Sequence, residues 1–91
     1  MKNVQFELYT RPTCSDCQEA KAFLAEHNIP YVGYDLSIEP EREKELIKVS
    51  GSRVVPAFVF KEKSFLGLRR KPKVLIGFES NKEEIKKILE M

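Results

Sequence analysis

The chain has two cysteines, Cys14 and Cys17, in the stretch TRPTCSDCQEAKAFL, Thr10 to Leu24. Thiols so spaced can form a reversible disulfide, supply half of a metal site, or fill a core as two small residues. A cysteine at the mouth of a helix and another one turn on lie on the same side of that turn. Their sulfurs can then meet in disulfide geometry with the backbone in place. The first sulfur also faces unpaired N–H groups and the positive end of the helix dipole, which favour a thiolate. Cys14 is therefore the expected nucleophile, and Cys17, one turn inside, the expected resolving thiol. A complete zinc site takes four ligands, and the two cysteines with the single histidine, His27, leave a metal only if subunits share it. His27 is read as a half-buried packing residue near the helix end, and the cysteine pair as a redox couple.

Two charges flank the pair. Arg11 can favour the thiolate, hold a substrate carboxylate, or stand as a solvated surface charge. Asp16, between the cysteines, opposes a thiolate if it points inward; the expectation is that it faces solvent, where screening weakens it.

The elements that must carry these residues follow from pattern. VQFELY (Val4 to Tyr9) alternates as a strand. After Cys14, Ala20, Phe23, Leu24 and His27 recur at helical spacing, and the helix ends near Asn28 and Pro30. YVGYDL (Tyr31 to Leu36) is a second strand. Pro40 opens a second helix running to about Val49, stopped by Gly51, with Leu46, Val49 and Ile47 as its thin buried stripe. PAFVF (Pro56 to Phe60) and KVLIGF (Lys73 to Phe78) are two further strands. A last helix places Ile85, Ile88 and Leu89 on one face, with Ser80 and Glu83, or Asn81 and Glu84, spaced as a capping box. The order β-α-β-α-β-β-α predicts a parallel first unit with a right-handed crossover, an antiparallel hairpin, and helices on both faces of a four-stranded mixed sheet.

Composition narrows the function classes. The 91 residues predict one domain over 1–91, and 42% hydrophobic with 33% charged residues suits a folded domain. A net charge of +2 gives no argument for nucleic acid or acidic lipid. The N-terminus lacks a continuous apolar run, so neither a signal peptide nor a membrane span is expected and the cytoplasm is the expected location. Structural disulfides are rare there, which points the thiols to reactivity or metal.

Three segments together resemble the glutaredoxin branch of the thioredoxin fold: YTRPTCSDC its active-site loop, GSRVVPAFVF its cis-proline segment, and IGFESNKEEI its glycine turn and entry to the last helix. The resemblance spans nearly the whole chain and implies a thioredoxin-like three-layer sandwich. It implies that the Val55–Pro56 bond is cis and sets the Val55 backbone beside the cysteines to pair with an extended substrate; Pro56 read alone equally suits the start of an edge strand. It implies glutathione contacts at Arg11, at Arg53, at the Gly77 turn and at the Ser80–Asn81 backbone, although each arginine also reads as a plain surface charge. Ser15-Asp16 stand where the family more often has Pro-Tyr. GFES is closer to the glutaredoxin-like hydrogen donors of ribonucleotide reductase, which take electrons from thioredoxin reductase.

The expected function is a cytosolic dithiol–disulfide oxidoreductase that reduces protein disulfides or glutathione mixed disulfides. Its electrons come from glutathione or thioredoxin reductase, and it has no tightly bound cofactor. Two alternatives stand beside it. One is a non-catalytic binding module using the long connection KEKSFLGLRRKPK (61–73), which is either a solvated hairpin extension or a docking surface for an acidic partner. The other is a carrier of a metal or iron–sulfur group.

Overall fold

Every second residue of the two middle strands points to the same side of the sheet, and that alternation builds two cores. The computed structural model describes residues 6–60 and 72–91. Its elements are β1 (Phe6–Thr10), α1 (Ser15–Glu26), β2 (Val32–Asp35), α2 (Arg42–Ser50), β3 (Ala57–Phe60), β4 (Lys73–Ile76), a 3-10 turn (Glu79–Asn81) and α3 (Lys82–Ile88). The sheet order is β2-β1-β3-β4, with β2 parallel to β1 and the other two pairings antiparallel.

Phe6 and Leu8 of β1 and Phe58 and Phe60 of β3 face α1 and α3, packing with Phe23, Leu24, Phe78 and Ile85. Tyr9 of β1 and Ala57 and Val59 of β3 face the other way, onto Leu36 and onto Leu46 of α2. A strand buried on both faces cannot alternate apolar with polar, which is why AFVF is apolar throughout. Complete burial of a side chain such as Phe58 or Leu46 contributes about 1.5–3 kcal/mol. The result is a three-layer thioredoxin-like sandwich with a four-stranded mixed sheet.

Helix ends follow local chemistry. α1 closes with Asn28 in the left-handed region at φ 54°; the Ile29 N–H bonds Leu24 O at 2.9 Å and the Asn28 N–H bonds Ala25 O at 3.2 Å, the double closure of a Schellman motif. α2 stops at Gly51, φ 79°, as expected from its glycine. Three expectations shift. α2 begins at Arg42 rather than at Pro40, because bonds from Arg42 to Glu39 and Glu43 to Pro40 wind a tighter turn first. Ile47 is 41% exposed, since it lies one position, about 100° of helix, from the buried Leu46. β4 ends at Ile76 rather than Phe78, because Gly77 at φ 97° turns the chain. Val4 and most of the 61–73 connection lie outside the described residues. Within those described, no helix is long and apolar enough to cross a membrane.

Candidate active site

Cys14 immediately precedes α1, in extended conformation (φ −95°, ψ 111°), and serves as its N-cap. Its Sγ accepts the Cys17 N–H at 3.1 Å, filling one of the unpaired donors of the first turn. The Cys14 thiol also lies 3.8 Å from the Val55 carbonyl, to which it donates. Cys14 is half-buried and Cys17 has no exposed surface. Burial, followed by the hydrogen bond to Cys14, pushes the Cys17 pKa up to about 12, against a weaker opposing backbone contact with Arg11. One sulfur is therefore reachable and held on backbone N–H, while its companion is kept protonated behind it.

The Val55–Pro56 bond is cis. Pro56 O accepts the Gly77 N–H at 2.8 Å, tying the start of β3 to the turn after β4. At Gly77 a side chain is opposed twice: φ is 97°, and an added Cβ would sit 3.0 Å from Ser80 Oγ and 3.9 Å from Asp16 Oδ2.

Asp16 departs from its expected place. It is half-buried, and its carboxylate accepts two main-chain N–H groups, Phe78 to Oδ2 at 2.7 Å and Glu79 to Oδ1 at 3.2 Å. A carboxylate is the natural partner for N–H groups at the start of a helical turn, and here it comes from sixty-two residues away. The expected capping boxes accordingly do not form. Asn81 uses its amide to donate to Ile76 O at 2.7 Å and Gly77 O at 3.1 Å, leaving no side-chain cap on α3, and Ser80 is exposed.

Arg11 lies beside the pair, its carbonyl accepting the Cys14 N–H at 3.3 Å. Its guanidinium is engaged by Glu43 Oε2 of α2 at 2.6 Å, a residue that the sequence reading did not single out. Arg53 is exposed, three residues before Pro56. His27, expected half-buried, is exposed and rests its ring 4.6 Å from that of Phe23, because it caps the helix end beyond the buried stripe. Asp16, Glu19 and Glu79 bring carboxylate oxygens within 4.8 Å of one another, so this rim of the site is acidic. Lys73, one of the basic residues in the long connection, pairs with Glu84 at 2.9 Å. Residues 61–71 of the expected 61–73 docking surface lie outside the described residues.

Spacing pointed to the cysteines, and the family resemblance to the proline and the glycine. Neither acidic partnership carries a local signal: Asp16 was expected to face solvent, and Glu43 is one first-turn acid of α2 among others until the fold brings Phe78 and Arg11 to them.

The model of the glutaredoxin family matches residues 6–65. The global transcriptional regulator Spx 1 of Oceanobacillus iheyensis is 39% identical over 46 residues, 47% of this chain and 35% of its own length. The matched stretch thus spans about a third of that relative. Among solved structures, a glutaredoxin (grx-1) from Archaeoglobus fulgidus aligns with TM-score 0.67 at 18% identity, covering 94% of this chain and 86% of that one. A thioredoxin-like protein aligns with TM-score 0.63 at 26% identity, covering 87% and 94%.

Proposed function

This chain belongs to the glutaredoxin family, and on that premise we propose that it is a dithiol–disulfide oxidoreductase with Cys14 as nucleophile and Cys17 as resolving thiol. The observation that carries the reading is the Cys14 sulfur at the mouth of α1, accepting the Cys17 N–H with the Val55 carbonyl beside it. A thiolate formed there keeps that N–H as a charge-assisted partner.

The Cys14 thiolate attacks one sulfur of a substrate disulfide; the substrate S–S bond breaks and the departing sulfur leaves with the electron pair and takes a proton. Cys17 then loses its proton and attacks Cys14 Sγ, forming the Cys14–Cys17 bond and expelling the second substrate thiol. Burial of Cys17 keeps it protonated through the first step, so a single sulfur competes for substrate. An extended substrate segment lying along the Val55 backbone would present its disulfide to Cys14 as an added strand. The proposed setting is a reducing compartment such as the cytoplasm, with glutathione or a thioredoxin reductase to return the disulfide to dithiol.

Reduction of insulin disulfides with dithiothreitol as electron donor, followed by turbidity, tests this. Cys14→Ser is expected to fall to the uncatalysed rate, and Cys17→Ser to trap a mixed disulfide visible by mass spectrometry. Equal rates for wild type and Cys14→Ser would refute the reading.

The match to a transcriptional regulator favours one second reading, a partner-binding module in which turnover plays no part. In that case both cysteine variants bind the partner as wild type does, and removal of residues 64–71 abolishes binding.

A further inference from the structure

Arg11, three residues before Cys14, and the N–H pair bound by Asp16, two residues after it, both attract anions, and each already holds a carboxylate of this chain. On one side Arg11 is paired with Glu43 at 2.6 Å, both side chains about one-third exposed at 33% and 31%. On the other, the N–H groups of Phe78 and Glu79 are occupied by Asp16 at 2.7 and 3.2 Å. The two carboxylates come from different elements, α2 and α1, so the pattern arises twice independently. Glu19 and Glu79 add negative charge within 4.8 Å of Asp16. An incoming carboxylate would have to compete with one of these partners and would sit beside it. At such distances like charges repel with a strength that solvent reduces but does not remove.

We propose that Asp16 and Glu43 are specificity-determining residues. By filling the anion-attracting groups beside Cys14 they direct exchange toward uncharged or cationic thiols, and toward a protein dithiol presented by its backbone, over small thiols that carry carboxylates, glutathione included. The inference rests on the oxidoreductase reading above and names the charge class of its electron donor.

In the step concerned, a donor thiolate attacks Cys14 Sγ of the Cys14–Cys17 disulfide. That bond breaks and Cys17 leaves as a thiolate that takes a proton. A second donor thiol attacks the mixed disulfide, releasing the Cys14 thiolate and the donor disulfide. Two donor thiols are oxidised and one protein disulfide is reduced. Charge selection acts on the approach of the donor, before any bond changes.

The test uses the oxidised full chain and three thiols of similar size: cysteamine (cationic), 2-mercaptoethanol (neutral) and 3-mercaptopropionate (anionic), with glutathione as a fourth. Rates of disulfide loss are read by alkylation and mass spectrometry and expressed per concentration of donor thiolate. The expected order is cysteamine, then 2-mercaptoethanol, then the two anions. In Asp16→Ala/Glu43→Gln the ratio of 3-mercaptopropionate to 2-mercaptoethanol rates should rise by about three- to tenfold, the size expected of two partly exposed charge contacts. Equal rates for the anionic and neutral thiols in wild type, or an unchanged ratio in the double variant, overturn the inference and leave the oxidoreductase reading standing. Should the double variant fail to fold, Asp16→Asn and Glu43→Gln singly must each raise the same ratio, and an unchanged ratio in both overturns it. Failure of all four thiols to open the disulfide sinks the oxidoreductase reading, and the inference with it.

Discussion

Replacing Gly77 by alanine should cost more than any other single methyl added near the cysteines. At φ 97° an L-residue crowds its Cβ against the backbone, which costs roughly 1–2 kcal/mol. The new Cβ would also stand 3.0 Å from Ser80 Oγ, closer than ordinary contact, so the serine must rotate or the turn must move. Moving the turn strains the bond from the Gly77 N–H to Pro56 O at 2.8 Å and those from Phe78 and Glu79 to Asp16. The expected loss is about 2 kcal/mol, the backbone term with a small steric addition. Urea unfolding followed by far-ultraviolet circular dichroism reads it. With a slope near 1 kcal/mol/M for a chain of this size, the midpoint should fall by about 2 M. In a Ser80→Ala background the contact is gone and only the backbone part should remain. An unchanged midpoint for Gly77→Ala, or full recovery in the double variant, would show that the left-handed backbone is not what demands glycine here.

Other outcomes follow from burial and charge. Leu46→Ala should destabilise by about 2–5 kcal/mol, whereas Ile47→Ala, its exposed neighbour, should stay within about 0.5 kcal/mol; equal effects in urea would mean that the buried stripe of α2 is misplaced. Alkaline pH should destabilise the fold through Cys17, whose pKa is raised from 9.0 to about 12. Between those values the unfolded chain has released a proton that the folded chain retains, so stability is whole below pH 9 and declines as pH rises, by up to about 1.4 kcal/mol per unit. Tyr9, raised from 10.0 to about 12 by burial and then by Glu7, adds a decline of the same sign from pH 10. Cys17→Ala should flatten the profile between pH 9 and 10, and a wild-type slope in that variant would refute the assignment.

Much of this arrangement was legible in the sequence because it depends on near neighbours. The parallel unit and the hairpin followed from strand and helix alternation, and the helix stops from Asn28 and Gly51. The cysteine pair announced itself by spacing at a strand-to-helix junction. What local pattern could not supply was any contact between distant acids and donors. Asp16 looked solvated because nothing near it in sequence needs a carboxylate; its donors lie in the turn after β4, which closes only when the sheet assembles. Ser80 and Asn81 matched a capping pattern, yet the 3-10 turn leaves Asn81 bonding back to Ile76 and Gly77. Ile47 shows the limit of counting apolar residues on a short helix, where one position decides between core and water.

The antiparallel pairing of β1 with β3 sets Tyr9 opposite Ala57. The thiol loop leaves one of these strands where the Val55–Pro56 segment enters the other, so both halves of the chemistry issue from adjoining ends of the two best-buried strands. Their separation is then governed by the interstrand spacing, about 4.8 Å in any sheet. Substitutions in the outer strands can drift without disturbing it, while a slip in the central register would dismantle the chemistry and the core together.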